Sequence, residues 1–442
     1  QLFEEERIYL VSQAANDLNF TFVIDEAQGD RLVAGLHDLL IQAAVNDRVL
    51  GPTWAELQAP GSPVNAGTAW WRTRQAELLS ALGNEDCAYV YDLAGVRAAA
   101  ADLTGMPGVS QVHYAMKANP HPEILRTLAG AGVGFDCVSR GEFERLVESV
   151  PTLDRAHVLY TPNFAPRHEY VWALDEGLMV TLDNLHPLRE WPELFKDREV
   201  FVRIDTGRGH GHHRHVRTAG VHSKFGVPLF EVEELERLAN AAGARIVGLH
   251  AHTGSGIFAS DNWIEVAGIL ADLALRFATV RVLDLGGGFG VPDKASRAPV
   301  DLAAVGRSLA AFSARHPDLA LWIEPGRYLV AAAGVLLARV TQVKGKAGKQ
   351  YLGVATGMNS LIRPALYGAH HEIVNLSRLE EVSTETYDVV GPICESGDVL
   401  GHERILPVSF EGDVLLIATA GAYGHAMSSR YNLREPAVER VI

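Results

Sequence analysis

VHYAMKANPHPEILRTLAGAGVGFDC, residues 112–137, carries the pattern that decides the fold. Val112 to Met116 is a short β-rich apolar run, Pro122 to Ala131 sets its apolar residues at helical spacing, and Val133 to Cys137 is a second β-rich run. A buried strand, a crossing helix and another buried strand make one step of a parallel sheet covered on both faces. Two polar residues break the apolar pattern: Lys117 directly after the first run and Asp136 near the end of the second.

The same alternation continues outward. Further β-rich runs occur at His157 to Tyr160, Leu178 to Leu182, Val200 to Ile204, Ile246 to His250, Val280 to Leu285 and Leu319 to Ile323. Helix-period segments include Arg140 to Val147, Val232 to Ala242 and Trp263 to Phe277. Roughly eight such units match a closed (β/α)8 barrel, and a doubly wound open sheet is the rival that periodicity alone leaves open. The reading adopted is α/β, with the barrel over 96–329. Past Leu329 short strands with turn residues take over, at Val335 to Val343, Gln350 to Val354, Glu385 to Val390 and Val414 to Ala418, so 330–442 is expected to be a β-barrel or sandwich. Residues 69–95, with a strand at Tyr89 to Asp92, are expected to join that β-domain.

At the amino end, Arg7 to Val11 and Asn19 to Ile24 read as strands, and Leu32, Val33, Leu36, Leu39, Leu40 and Ala43 mark an amphipathic helix. Two strands and a helix cannot bury both sheet faces, so 1–43 reads as a partial α+β segment. Residues 44–68, with three prolines, read as a linker.

Composition bounds the function. The 442 residues exceed one ordinary core, and the net charge of −15 argues against nucleic acid or an anionic membrane as partner. No apolar run reaches the roughly 20 residues that a bilayer crossing takes, and no secretory signal leads the chain. Cys87, Cys137 and Cys394 are odd in number and far apart, which suits free thiols in a reducing cytoplasm.

In a barrel, chemistry gathers where strands end at their carboxyl side, and unusual residues recur there. Lys117 follows the first run, Asp136 closes the second, Arg203 lies in the fifth and His252 follows the sixth. Gly286, Gly287 and Gly288 follow the seventh, and Glu324, Gly326 and Arg327 follow the eighth. Three glycines leave N–H groups able to crowd around an anion, or simply make a tight turn. A desolvated lysine has a lowered pKa and can capture an aldehyde, or it can snorkel from the barrel mouth. Phosphate loop and lysine together point to pyridoxal phosphate (pyridoxal 5'-phosphate). Glu324 then suits the pyridine nitrogen, with an ion pair to Arg327 as its competitor, while His252 suits the ring face. Zinc on His250 and His252 lacks an obvious third ligand.

Eight segments together resemble the fold-type III pyridoxal-phosphate-dependent decarboxylases, and within them the diaminopimelate decarboxylases. They are YAMKAN at 114–119, GFDCVS at 134–139, SKFG at 223–226, HAHTGS at 250–255, LGGGFG at 285–290, EPGR at 324–327, CESGD at 394–398 and GAYG at 421–424. The resemblance, over about 66–442, implies that Lys117 carries the cofactor and that Ser255, the glycine loop and Tyr423 surround its phosphate. It places Arg327, Arg363, Tyr367 and Tyr423 against substrate. It brings Cys394 and Glu395 from the partner chain of a homodimer with shared active sites, with Lys224 paired to Asp398 across the interface. Catalytic roles fall to Lys117, Cys394, Glu324 and His252, the thiol protonating the carbanion left by CO2. Arg363 and Glu395 form a pair complementary to the second amino-acid head of diaminopimelate, whose decarboxylation yields L-lysine. Decarboxylation of carboxynorspermidine, ornithine or arginine is the alternative, with racemisation or a non-catalytic regulator of the same fold further off.

Two features depart from the family. Residues 208–217 carry a histidine-rich loop, His210 to His215, read as solvated, and Ala219 separates Thr218 from Gly220, which are usually adjacent. The first segment, VSQAANDLNFTFVID, is similar to the regulatory ACT region of aspartate kinases, so a kinase–decarboxylase fusion is expected.

Overall fold

The computed structural model describes residues 8–13, 20–24, 69–207, 223–294 and 297–442. The chain divides into two units, 1–66 and 67–442, each treated separately. In the first, Ile8–Gln13 and Phe20–Ile24 pair antiparallel, as the two expected strands. The expected helix, the linker and the histidine-rich loop lie outside the described residues.

The second unit contains the barrel. Its strands are Gln111–Ala115, Gly134–Cys137, Val158–Tyr160, Met179–Leu182, Glu199–Asp205, Arg245–His250, Val282–Asp284 and Ala320–Ile323. Each pairs parallel with the next, and Trp322 and Ile323 of the eighth pair with Gln111 and Val112 of the first. That last pairing closes the ring and excludes the open sheet. Helices such as Pro122–Gly130, Arg140–Ser149, Val232–Ala242 and Asn262–Ala274 wrap the outside. Ser139 caps the second of these by accepting from the Glu142 N–H, and Gly243 ends the third in the left-handed region, so local sequence sets their bounds.

The barrel interior is filled. Leu159, Phe201, Val247, Val282 and Trp322 pack together, with Trp322 stacked 5.4 Å from Phe201 and tilted against His113 at 4.8 Å. Glycine makes room for the rings: a Cβ on Gly248 would lie 2.2 Å from Phe201, and one on Gly134 2.6 Å from His113. Two residues further along, on the same strand faces by the period of 2, come Ala115, Asp136, Arg203, His250, Asp284 and Glu324. An apolar plug thus lies under a polar layer at the carboxyl ends.

Apart from the short Val227–Pro228, which pairs with the fifth barrel strand, the remaining strands of this unit form a mixed sheet around Gly334–Lys346. Cys87–Tyr91 pairs antiparallel with its first part and parallel with Val438–Val441, which joins the segment before the barrel to the tail after it. Lys349–Val354 and Val414–Ile417 pair with the same long strand, and Glu385–Val390 extends the sheet from Lys349–Val354.

Candidate active site

The polar layer opens into a cavity of about 500 Å³. Lys117, Asp136, Arg203, His252, Ser255, Gly288, Glu324, Gly326, Arg327, Arg363, Tyr367 and Tyr423 all line it.

Lys117 sits on a single 3-10 turn, Met116–Ala118, immediately after the first strand. The turn is stitched in place: the Tyr423 N–H donates to the Ala118 carbonyl (2.8 Å) and Asn119 Nδ2 donates to the Gly421 carbonyl (2.9 Å). Gly326 lets the eighth-strand loop approach, since a Cβ there would lie 3.2 Å from both the Ala115 carbonyl and Ala118. The lysine side chain is 47% exposed, within the cavity, with Nζ 3.6 Å from Asp136 Oδ2. Burial disfavours its charge, but Asp136, Tyr423 and Glu324 outweigh that and raise its pKa. This corrects the expected lowered pKa: in the cofactor-free chain the group is a well-held ammonium. Burial and Glu324 push the Asp136 carboxyl up to about 6 against the pull of Lys117 and of Thr161, whose hydroxyl donates to it.

Glu324 does not pair with Arg327. Its Oε2 meets His250 Nε2 at 2.9 Å, while Arg327 donates to Ser255 Oγ through Nε (3.2 Å) and Nη2 (3.1 Å) and lies 5.0 Å over the Tyr423 ring. Although burial opposes it, His250 and Lys117 hold Glu324 well below the usual carboxylate range.

The glycine loop departs from the expected bare amides. The Gly286 N–H donates to Asp284 Oδ1 (2.9 Å) and the Gly287 N–H to His252 Nδ1 (3.1 Å), so of the three only Gly288 reaches the cavity. Close packing accounts for the residue type: a Cβ would come within 2.6 Å of the Ala251 carbonyl at Gly286, 2.2 Å of the Glu324 carbonyl at Gly287 and 2.5 Å of the Gly254 carbonyl at Gly288. The Gly287 bond leaves His252 Nδ1 as an acceptor. Burial first, then Arg203 and Lys117, lower its pKa far below the ordinary value, so the ring is neutral.

Arg363 begins the short helix Arg363–Tyr367 and is 7% exposed, with no hydrogen-bond partner at Nε. Burial and then Arg327 push its guanidinium down to about 10. This end of the cavity therefore holds more positive charge than the surrounding protein neutralises.

Cys394 and Glu395 do not reach the cavity of their own chain. Cys394 is exposed, its N–H donating to Asn432 Oδ1 (2.7 Å). The expected Lys224–Asp398 pairing is one between two chains, and within a single chain each residue has other neighbours. Asp398 is 3% exposed and accepts from the Met358 (2.6 Å) and Ile393 (2.7 Å) N–H groups of its own chain, which shapes the turn that carries Cys394. Lys224 instead lines the cavity, 5.2 Å over Phe225.

The sequence reading missed Thr161, Asn163, Asp183 and Asp284. Asp183 lies 3.8 Å from Arg203 and accepts from Asn163 Nδ2 (2.5 Å) and the Gly226 N–H (3.2 Å). The strand-end rule applied to the third, fourth and seventh strands would have found them. For zinc, the group of possible ligands among the described residues is His250, Asp284 and Glu324 rather than His250 and His252.

Residues 94–331 match the family described as "Pyridoxal-dependent decarboxylase, pyridoxal binding domain". The chain belongs to the pyridoxal-dependent decarboxylases. It is 36% identical over 346 residues to the diaminopimelate decarboxylase of Methanothermobacter thermautotrophicus, covering 75% of this chain and 80% of that one. It is 36% identical over 370 residues to that of Pseudomonas aeruginosa, with 80% and 87% covered. The diaminopimelate decarboxylase of Helicobacter pylori, solved with L-lysine, superposes with a TM-score of 0.75 at 28% identity, covering 83% of this chain and 93% of that one. The family's cofactor, pyridoxal phosphate, fits this site: an amine faces the cavity, a buried carboxylate keeps an unpartnered Oε1, and glycine backbone closes in beside Ser255.

Proposed function

We propose that this chain decarboxylates meso-2,6-diaminopimelate to L-lysine and CO2. The observation that carries the reading is Arg363: a buried guanidinium beside Arg327, under-neutralised and opening into the cavity, favours a substrate that brings a second carboxylate. The relatives named diaminopimelate decarboxylase support it.

When bound, pyridoxal phosphate supplies an aldehyde that captures an amine and a ring that takes up the electron pair left by departing CO2. Lys117 would supply the capturing amine, held as an ammonium 3.6 Å from Asp136 until then. Glu324, a carboxylate steadied by His250 at 2.9 Å, would offer one negative charge to the ring nitrogen. Neutral His252, fixed by the Gly287 N–H, presents an uncharged aromatic face. Ser255, Gly288, Arg327 and Tyr423 line the cavity and would hold the phosphate end. Arg363 and Tyr367 orient the far end of the substrate.

The exposed Cys394–Glu395 turn completes the site of a second copy in a homodimer, where the Cys394 thiol returns a proton to the substrate carbon. The free thiols suit a reducing cytoplasm. Among the described residues, no helix is long and apolar enough to cross a membrane. The leading strand pair is read as part of an ACT-like regulatory end of an aspartate kinase fused to this enzyme.

The test is CO2 release from meso-diaminopimelate set against ornithine, arginine and carboxynorspermidine. Release from diaminopimelate alone supports the proposal, and equal release from a substrate without a distal carboxylate overturns it.

A further inference from the structure

Asp284 ends the seventh strand, fully buried in the polar layer. One atom each of His250, Asp284 and Glu324 lie within 4.8 Å of one another, and His250 already bonds to Glu324. Asp284 Oδ1 accepts from the Gly286 N–H, while Asp284 Oδ2 and Glu324 Oε1 are buried with no hydrogen-bond partner. Burial and proximity together disfavour a second negative charge on this pair of carboxylates.

We propose that Asp284 is a neutral acid whose proton is directed at Glu324, so that it is a positioning residue for the carboxylate facing the cofactor nitrogen. The two unpartnered oxygens become complementary once one of them carries a proton, and Glu324 Oε1 keeps its second lone pair for the cofactor. The charge falls to Glu324 because of its neighbours: His250 and Lys117 favour its ionised form. Asp284 faces Glu324 and Asp136, which together with burial push its carboxyl well above the usual range against the single Gly286 N–H. The trio would then present one negative charge to the ring nitrogen of a bound cofactor. Asp284 also ties the glycine loop to the nitrogen end of the site, through Oδ1 and its acid proton respectively.

The charge assignment stands on this geometry, whereas its consequence for turnover rests on the decarboxylase reading, so the test has two arms. Infrared difference spectra of cofactor-free protein, wild type against Asp284→Asn at neutral pH, should show a protonated-carboxyl band that the variant lacks. Absence of that band overturns the proposal whatever the protein catalyses. In turnover with diaminopimelate, Asp284→Ala should lower kcat by about tenfold or more with little change in KM. Asp284→Asn, which keeps the shape, the acceptor and a neutral donor, should recover most of that loss. An Asn variant as impaired as the Ala variant, with the same melting temperature as wild type, means that the negative charge matters and refutes the neutral acid. Zinc retained by purified wild type and lost on Asp284→Ala refutes it too, since a cation would then sit where the proton is placed.

Discussion

Gly287→Ala tests how closely the glycine loop and the eighth strand are fitted. The added Cβ would lie 2.2 Å from the Glu324 carbonyl oxygen, 2.9 Å from the Glu324 carbonyl carbon and 3.3 Å from Pro325 Cα. All three are backbone atoms, so no side chain can swing aside, and relief takes a shift of about 1 Å in the segment that carries the Glu324 carboxylate. That segment is anchored by the Glu324 N–H to the Gly286 carbonyl (2.9 Å), so the strain enters the loop at both ends. Overpacking of this kind costs about 1–3 kcal/mol. A misplacement of about 1 Å at a reacting centre costs about 100-fold in rate. Thermal unfolding of the cofactor-free protein, followed by kcat of the loaded protein, reads the two effects separately. An alanine variant with an unchanged melting temperature and kcat within about threefold of wild type would refute the packing argument.

Lys117→Ala should abolish turnover, and borohydride reduction should leave no cofactor covalently attached; a persisting adduct locates the capturing amine elsewhere. Arg363→Ala should lower kcat/KM for diaminopimelate by about 10–100-fold, the loss of one charge-assisted hydrogen bond, and spare any substrate lacking a distal carboxylate. Mixing Lys117→Ala chains with Cys394→Ala chains should restore activity that neither variant has alone, and no recovery would argue against a site shared between copies. His113 is fully buried with both nitrogens unpartnered, and burial lowers its pKa to about 4. A depressed pKa gives stability that is whole above the ordinary histidine value of about 6.5 and is lost as pH falls through the folded value, here by up to about 3 kcal/mol. His113→Leu should therefore flatten that acid slope in melting temperatures measured across the pH range, and an unchanged slope would contradict the assignment.

Local pattern made much of the fold legible. Each of the eight barrel strands falls on an apolar run that could be picked out beforehand, because hydrophobic periodicity is set by neighbouring residues and survives without tertiary context. Strand Val399–Leu406 was less readable: Gly401, His402, Glu403 and Arg404 interrupt it, and Glu403 takes a left-handed φ of 52° where the register shifts. Lys117, Asp136 and Glu324 stood out because polar side chains at the ends of apolar strands are costly without a task.

What the linear order could not contain is anything decided by distance across the barrel. Closure depends on Ile323 meeting Val112, more than 200 residues away, and the rival open sheet has the same local pattern. The protonation of Lys117 is set by Asp136 on the next strand, and the partner of Glu324 turns out to be His250 rather than the nearby Arg327. Asp398 shows the same limit: nothing in its motif reveals that it accepts from two N–H groups of its own chain, Met358 and Ile393. Charge and hydrogen bonding follow burial and through-space geometry, which sequence neighbours constrain only weakly, so the chemistry of the layer was settled by the folded barrel.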